Sequence, residues 1–293
     1  MKYIGLLFNL INEFKNLKWN FLNNNFSKYL YENFIDYYRA RIRINSIYKN
    51  TKITTSNLRM KKSSDTLFVF GTGSSLKKIS KKNWDRIKKF DSIGINYTIL
   101  LKKIHFTYQI NRELHTSNKK EIRKQVKIIK NNKFLRNTVF LFPSGFTCSY
   151  TNWIFSLGNW NRRNLFYLFN TNIIYKLPLG SLETGLIHRM GTITDAISFG
   201  YFMGYKKIIL AGVDLYDRKY FYTSGNKTSI TFGQNVEFDN RGKTVMDKHQ
   251  TADNGIIPLM QNWGSYLNKK KVQLLVYNKK SLLTKVLKIY DPK

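Results

Sequence analysis

The 293-residue chain contains one cysteine, Cys148. It forms no internal disulfide and, lacking a second thiol, no thiolate zinc site, a usage that fits a cytoplasmic address. Only four prolines occur, which excludes a proline-rich, extended chain. No run of about 20 apolar residues is present to span a bilayer. The apolar part of Met1 to Leu10 is too short for a secretory signal and has no small-residue cleavage site. Carboxylates are scarce as well: 17 Asp and Glu stand against 50 Lys and Arg, leaving a net charge of +33. Such a field attracts phosphates, nucleic acid or an anionic membrane. The same excess also follows from an AT-rich coding sequence that favours Lys, Asn, Ile, Tyr and Phe, so charge alone does not name the partner.

What the chain does hold is apolar surface. Hydrophobic residues make up 42% and aromatics 15%, enough to bury a core and to exclude wholesale disorder.

The stretch from Gly191 to Asp214 is the clearest signal. A small-residue turn opens a proline-free helix, Gly204 stops it, and a run of β-formers leads to Gly212-Val213-Asp214. A second unit of this kind begins at Thr66-Leu67-Phe68-Val69-Phe70, followed by Gly71-Thr72-Gly73-Ser74-Ser75-Leu76. Strand, glycine turn, then helix marks the start of an α/β domain, and backbone N–H groups of such a turn can approach an anion. Further strands are expected over Ser92 to Asn96, His105 to Ile110, Thr138 to Pro143 and Val272 to Tyr277. Helices are expected over 118 to 130, after His249, and over Ser281 to Ile289. Asn96, Gln109 and Asn111 fall at strand ends, where open parallel sheets bind ligands; turn-forming amides are the alternative. The aromatic-rich stretch from Ser144 to Pro178 is expected to serve mainly as core.

Residues 1–62 read as a basic amphipathic arm, with twelve Lys and Arg against three Asp and Glu. Leu7, Leu10, Ile11, Phe14, Leu17 and Phe21 share one helical face, and Leu30, Phe34, Tyr37, Tyr38 and Ile42 form a second run. The arm suits an anionic bilayer surface, or it packs on the main domain or on a second copy in a homo-oligomer. Residues 63–293 form the main domain. Within it, the polar segment of about 215–250 is long enough to act as a lid.

The order of these blocks resembles the bacterial sialyltransferase family, the lipooligosaccharide sialyltransferases that use CMP-sialic acid. The resemblance rests on Leu67 to Ile79, Ile95 to Asn96, Arg189 to Tyr216 with its Gly-Tyr-Lys and Gly-x-Asp-x-Tyr, and His249 to Leu283. It covers roughly residues 66–285, and the order and spacing of the blocks make it moderately specific. It implies a single nucleotide-binding α/β domain of the GT-A-like type, with a mostly parallel sheet and a mobile lid. The implied activity is metal-independent, inverting sugar transfer from a CMP-activated donor to a glycan or glycolipid acceptor, without a cofactor. Position by position, the resemblance implies Gly71, Thr72 and Gly73 at the donor phosphate and ribose, and Asn96 at the nucleotide. It puts Arg189, Gly191 and Thr192 along the donor site, Tyr216 and Tyr222 on the leaving phosphate, and His249 as the base.

The base assignment also agrees with elementary chemistry, since an imidazole with an unperturbed pKa of about 6.5 suits taking a hydroxyl proton. Of the four histidines, His105, His115 and His188 read as structural, while His249 opens a helix after a flexible segment. Asp214 is followed by Leu215, so no Asp-x-Asp metal motif stands at that strand end. Two departures from the family pattern matter: Thr72 stands where Asn is usual, and Gly191-Thr192 replaces a Ser-Gly pair. The Gly-Thr form is also similar to motility-associated glycosyltransferases and to pterin diphosphokinases. The alternatives are therefore a diphosphokinase of the same fold, which would need magnesium and ATP, and a non-catalytic RNA-binding protein suggested by the charge.

Overall fold

Continuous apolar runs bounded by glycine turns form parallel strands buried on both faces. In a computed structural model, residues 26–112, 119–216, 219–224, 227–228, 252 and 255–291 are described. The strands are β1 (Thr66–Phe70), β2 (Asp91–Ile95), β3 (Tyr108–Ile110), β4 (Val139–Ser144), β5 (Phe166–Asn172), β6 (Leu186–Ile187) and β7 (Lys207–Ala211). They continue with β8 (Thr223–Ser224), β9 (Lys227–Thr228), β10 (Gln273–Val276) and β11 (Lys288–Ile289). The helices are α1 (Phe26–Asn45), α2 (Thr55–Arg59), α3 (Lys81–Ile87), α4 (Lys119–Asn131), α5 (Ser149–Ser156), α6 (Thr192–Phe202) and α7 (Ile256–Lys269).

Nine strands form one all-parallel sheet in the order β11-β10-β7-β1-β2-β3-β4-β5-β6, while β8 and β9 make a separate antiparallel pair. This is an α/β, Rossmann-like arrangement. The chain runs outward from β1 to β6, then crosses back to lay β7 on the other side of β1. The order reverses between β1 and β7, and crevices at the carboxyl ends of such strands bind ligands.

Strand alternation separates two cores. Leu67 and Val69 of β1 join Ala196, Ile197 and Phe199 of α6 and Met260 and Trp263 of α7 on one face. Phe68 and Phe70 join Ala40 and Ile44 of α1, Trp84 of α3, Ile122 and Val126 of α4 and Phe155 of α5 on the other. Trp160, Phe166, Tyr167 and Phe169 are all buried, as expected of the aromatic-rich stretch.

One local expectation changes. The segment Ser281 to Ile289 is not one helix but a short 3-10 turn, Leu282–Lys285, followed by edge strand β11. The stretch from Ser144 to Pro178 holds a whole helix, α5, and strand β5. Residues 26–62 pack on the domain, one of the arrangements expected of the arm: Ile53 N–H donates to Phe166 O at 2.9 Å, and Leu58 is fully buried. The apolar run on α1 is not the face through which it packs. Asn33, Asp36, Ala40 and Ile44 are buried, while Phe34, Tyr38 and Ile42 are exposed. The helix docks through polar and small residues, with Ser149 Oγ donating to Asn33 Oδ1 at 2.7 Å and Arg41 Nη2 donating to Ser144 Oγ at 2.6 Å. The face from Leu7 to Phe21 lies outside the described residues.

Candidate functional site

The turn after β1 packs against the end of β7. Gly71 N–H donates to Ala211 O and Gly73 N–H to Gly212 O, each at 2.8 Å. Ser75 donates to Asp214 twice, through its amide (2.9 Å) and its hydroxyl (2.5 Å), and Asn278 Nδ2 adds a third bond at 2.8 Å. A Cβ on Gly73 would overlap the Asp214 carboxylate, so close approach demands glycine there. The amides of Gly71 and Gly73, expected at a donor phosphate, are thus spent on joining β1 to β7. Buried Asp214 is a clamp across the switch point.

The beginning of the long polar segment returns to this turn. Ser74 N–H donates to Lys219 O (3.1 Å), and Phe221 N–H to Thr72 O (2.9 Å). Tyr222 stacks on Tyr220 with ring centroids 5.3 Å apart and lies 5.6 Å from Tyr97, the residue after Asn96. Thr72 and Tyr222 are brought into one neighbourhood at the carboxyl ends of β1 and β2. Tyr216 is half-buried and follows Leu215, which holds a left-handed φ of 64°. A bulky residue in that region stores local strain, a feature found at functional turns.

A second polar cluster lies along the carboxyl ends of β2, β3, β5 and β6. Asn96, with φ of 49°, uses its side chain twice: Nδ2 donates to Thr192 Oγ1 (3.3 Å), and Oδ1 accepts from Arg112 N–H (3.1 Å). Asn tolerates the left-handed region better than other side-chain-bearing residues do. Gln109 and Asn111, read from sequence as possible ligand contacts, are fully buried. Gln109 Nε2 donates to Asn96 O (3.1 Å) and to Asn111 Oδ1 (2.8 Å), so these amides are structural and fix Asn96 from below.

From Arg112 the network continues to groups that sequence reasoning set aside. Arg112 Nη1 donates to Thr171 Oγ1 (2.8 Å) and to Asp195 Oδ1 (3.1 Å). The other oxygen of Asp195 meets His188 Nδ1 at 2.6 Å. The Asp195 side chain is fully buried, while those of Arg112 and His188 keep 11% and 17% of their exposure. Because a carboxylate accepts, Nδ1 carries the proton in this pair, and Nε2 is the basic position of the neutral ring. Asp195 sits in the first turn of α6, where the helix dipole also favours a negative charge. The available sequence signal was the spacing His188-x6-Asp195 across the helix start, with Asp195 one turn inside it.

Arg189 and Gly191 flank this cluster. The Arg189 side chain is exposed and donates to Ile173 O at 2.6 Å. Gly191 caps α6 with φ of 96°, and the space beside its Cα is open. Thr194 Oγ1 ties the cap together, donating to Gly191 O (2.9 Å) and accepting from Arg189 N–H (3.0 Å). His105 packs against Phe134, as a structural histidine should. His249 lies outside the described residues, as do His115 and most of the 215–250 segment.

Thr72 and Tyr222 thus lie beside the switch point, and Asn96, Thr192 and the Asp195-held imidazole of His188 form a second group along the carboxyl ends of the sheet. Among the described residues no group of three His, Cys, Asp or Glu side chains is placed to hold a metal. No protein-family model matches this chain, and no curated protein matches it either.

Proposed function

We propose that the chain is a metal-independent, inverting glycosyltransferase of the GT-A-like kind that moves sialic acid or a related nonulosonic acid from CMP to a cell-surface glycan precursor. The observation that carries this reading is the bond between Asn96 and Thr192. Two blocks of the family resemblance, 96 positions apart, meet side chain to side chain at the carboxyl ends of the strands. Tyr222 beside Tyr97 supports the same location for the leaving phosphate.

In this reading the acceptor oxygen attacks the anomeric carbon, the bond from that carbon to the phosphate oxygen breaks, and CMP departs with the electron pair. Hydroxyl donors such as Tyr216, Tyr222 and Thr72 stabilise the departing charge. The acceptor proton goes to an imidazole: the resemblance gives His249, while the Asp195-oriented ring gives His188. Arg112 and Asp195 are positioning residues. The enzyme works on the cytoplasmic side, peripheral to the inner membrane face, on a lipooligosaccharide-type acceptor.

Thermal-shift measurements with CMP, CDP, UDP, GDP and ATP test the class, since a ligand of the native state raises apparent stability. A response to CMP alone is expected; a response confined to magnesium and ATP would replace this reading with the pterin diphosphokinase. Transfer from CMP-sialic acid by His188→Ala and His249→Ala then separates the two candidate bases.

A further inference from the structure

Four of the seven exposed large hydrophobic side chains among the described residues belong to α1 and the turn after it: Phe34, Tyr38, Ile42 and Ile47. The first three recur every fourth residue and make one stripe, away from the buried face of Asn33, Asp36, Ala40 and Ile44. Phe34 and Tyr38 stack at 6.2 Å, which holds the stripe as a ridge. Arginines stand on both flanks: Arg39 and Arg43 on one side, and on the other Arg41, its guanidinium 4.9 Å from the Tyr37 ring.

The ridge ends at a basic pocket. A cavity of about 470 Å³ is lined by Arg43, Lys130, Arg162 and Arg163, with Ile47 and Trp160 among the remaining walls and no acidic side chain among its lining residues. The Arg43 guanidinium lies against the Gly158 backbone, in space that any side chain there would fill. Four cations around one concavity repel one another unless an anion joins them. Ile47 is both exposed and part of the pocket wall, so the apolar and basic features are continuous.

We propose that this ridge and pocket form a single surface that docks on an anionic bilayer, the ridge entering the acyl boundary and the pocket taking a lipid phosphate. An apolar stripe flanked by arginines is the arrangement that lies in a membrane interface, and neighbouring cations add attraction to anionic headgroups. The proposal deepens the peripheral localisation above by giving it a site, and it is independent of the sugar chemistry. A soluble polyanion such as RNA would use the pocket but has no need of an aliphatic ridge.

Flotation of the full chain with phosphatidylcholine vesicles, with and without about 30% phosphatidylglycerol, tests it. The variants are Phe34→Gln/Tyr38→Gln/Ile42→Gln for the ridge and Arg162→Glu/Arg163→Glu for the pocket, all at exposed positions that keep the fold. Each is expected to weaken binding to the anionic vesicles roughly tenfold, and the combination to abolish it, without moving the thermal response to CMP. Inorganic phosphate should compete with the wild type and with the ridge variant, but not with the pocket variant. Unchanged vesicle binding in either variant overturns the proposal. If only the pocket variant fails, and it also loses RNA, the pocket is a nucleic-acid contact instead. Vesicle binding that follows the expected pattern in a chain with no response to any nucleotide would leave this inference standing and remove the glycosyltransferase reading.

Discussion

Two buried aspartates at opposite ends of the sheet differ in the partners that hold them. Asp91, at the amino end of β2, accepts from Ser63 N–H (2.8 Å), Ser64 N–H (3.0 Å), Ser63 Oγ (2.6 Å) and Tyr205 OH (2.8 Å). All four partners are neutral. Asp195, at the carboxyl end, is held by Arg112 and His188, both of which reach towards the surface. A carboxylate closed off by neutral donors ties loops together. One that bridges a cation and an imidazole holds that ring in a fixed orientation at the carboxyl end of the sheet.

The comparison breaks most sharply if His188→Ala leaves transfer intact. The expected result is a loss on the order of 10²-fold or more in kcat, with unfolding stability lowered by about 1.5–3 kcal/mol because the buried Asp195 carboxylate loses its His188 partner; chemical denaturation beside a CMP-sugar transfer assay reads both. Asp91→Ala should lose stability alone. It leaves two amides and a buried tyrosine hydroxyl without their acceptor, so a loss of about 3 kcal/mol is expected in urea unfolding, with the CMP response retained below the lowered melting temperature. A Gly73→Ala change probes the clamp between β1 and β7. Overlap with Asp214 and Gly212 O should cost roughly 1–3 kcal/mol, read as a lower melting temperature.

The smallest effect concerns pH. Burial, with Tyr108 and Asp91 beside it, raises the Tyr205 hydroxyl far above its ordinary value of 10.0. A group whose folded pKa is raised contributes stability that is complete below the unfolded value and is lost as the pH climbs beyond it. Stability should therefore hold up to about pH 10 and fall above it. Tyr205→Phe should cost about 1 kcal/mol at neutral pH and flatten the alkaline fall; equal alkaline slopes in the two proteins would remove Tyr205 from that transition.

Much of the α/β frame was legible because its signals are local. Gly191, the apolar helix and Gly204 announce α6, and Lys207 to Ala211 announce β7. The stretch holding α5 and β5 was not, because a continuous apolar run such as Phe166 to Phe169 has no period that separates strand from helix. Part of the site was readable in the same way: Asn96 and Thr192 stand at the ends of recognisable elements. Arg112, His188 and Asp195 were missed because no short-range pattern joins residues 83 positions apart, and His188 before Arg189 reads as a structural histidine.

The sequence by itself determined the alternation that buries β1 on two faces, the glycine turns that let β1 and β7 meet, and the excess of cations. Local sterics and apolar periodicity need no partner to act. Only the tertiary structure decided which stripe of α1 faces inward and which aspartate receives charged partners. Burial depends on the opposing surface: Ser144 and Ser149 meet the polar stripe of α1, which lies inward with Phe34, Tyr38 and Ile42 outside.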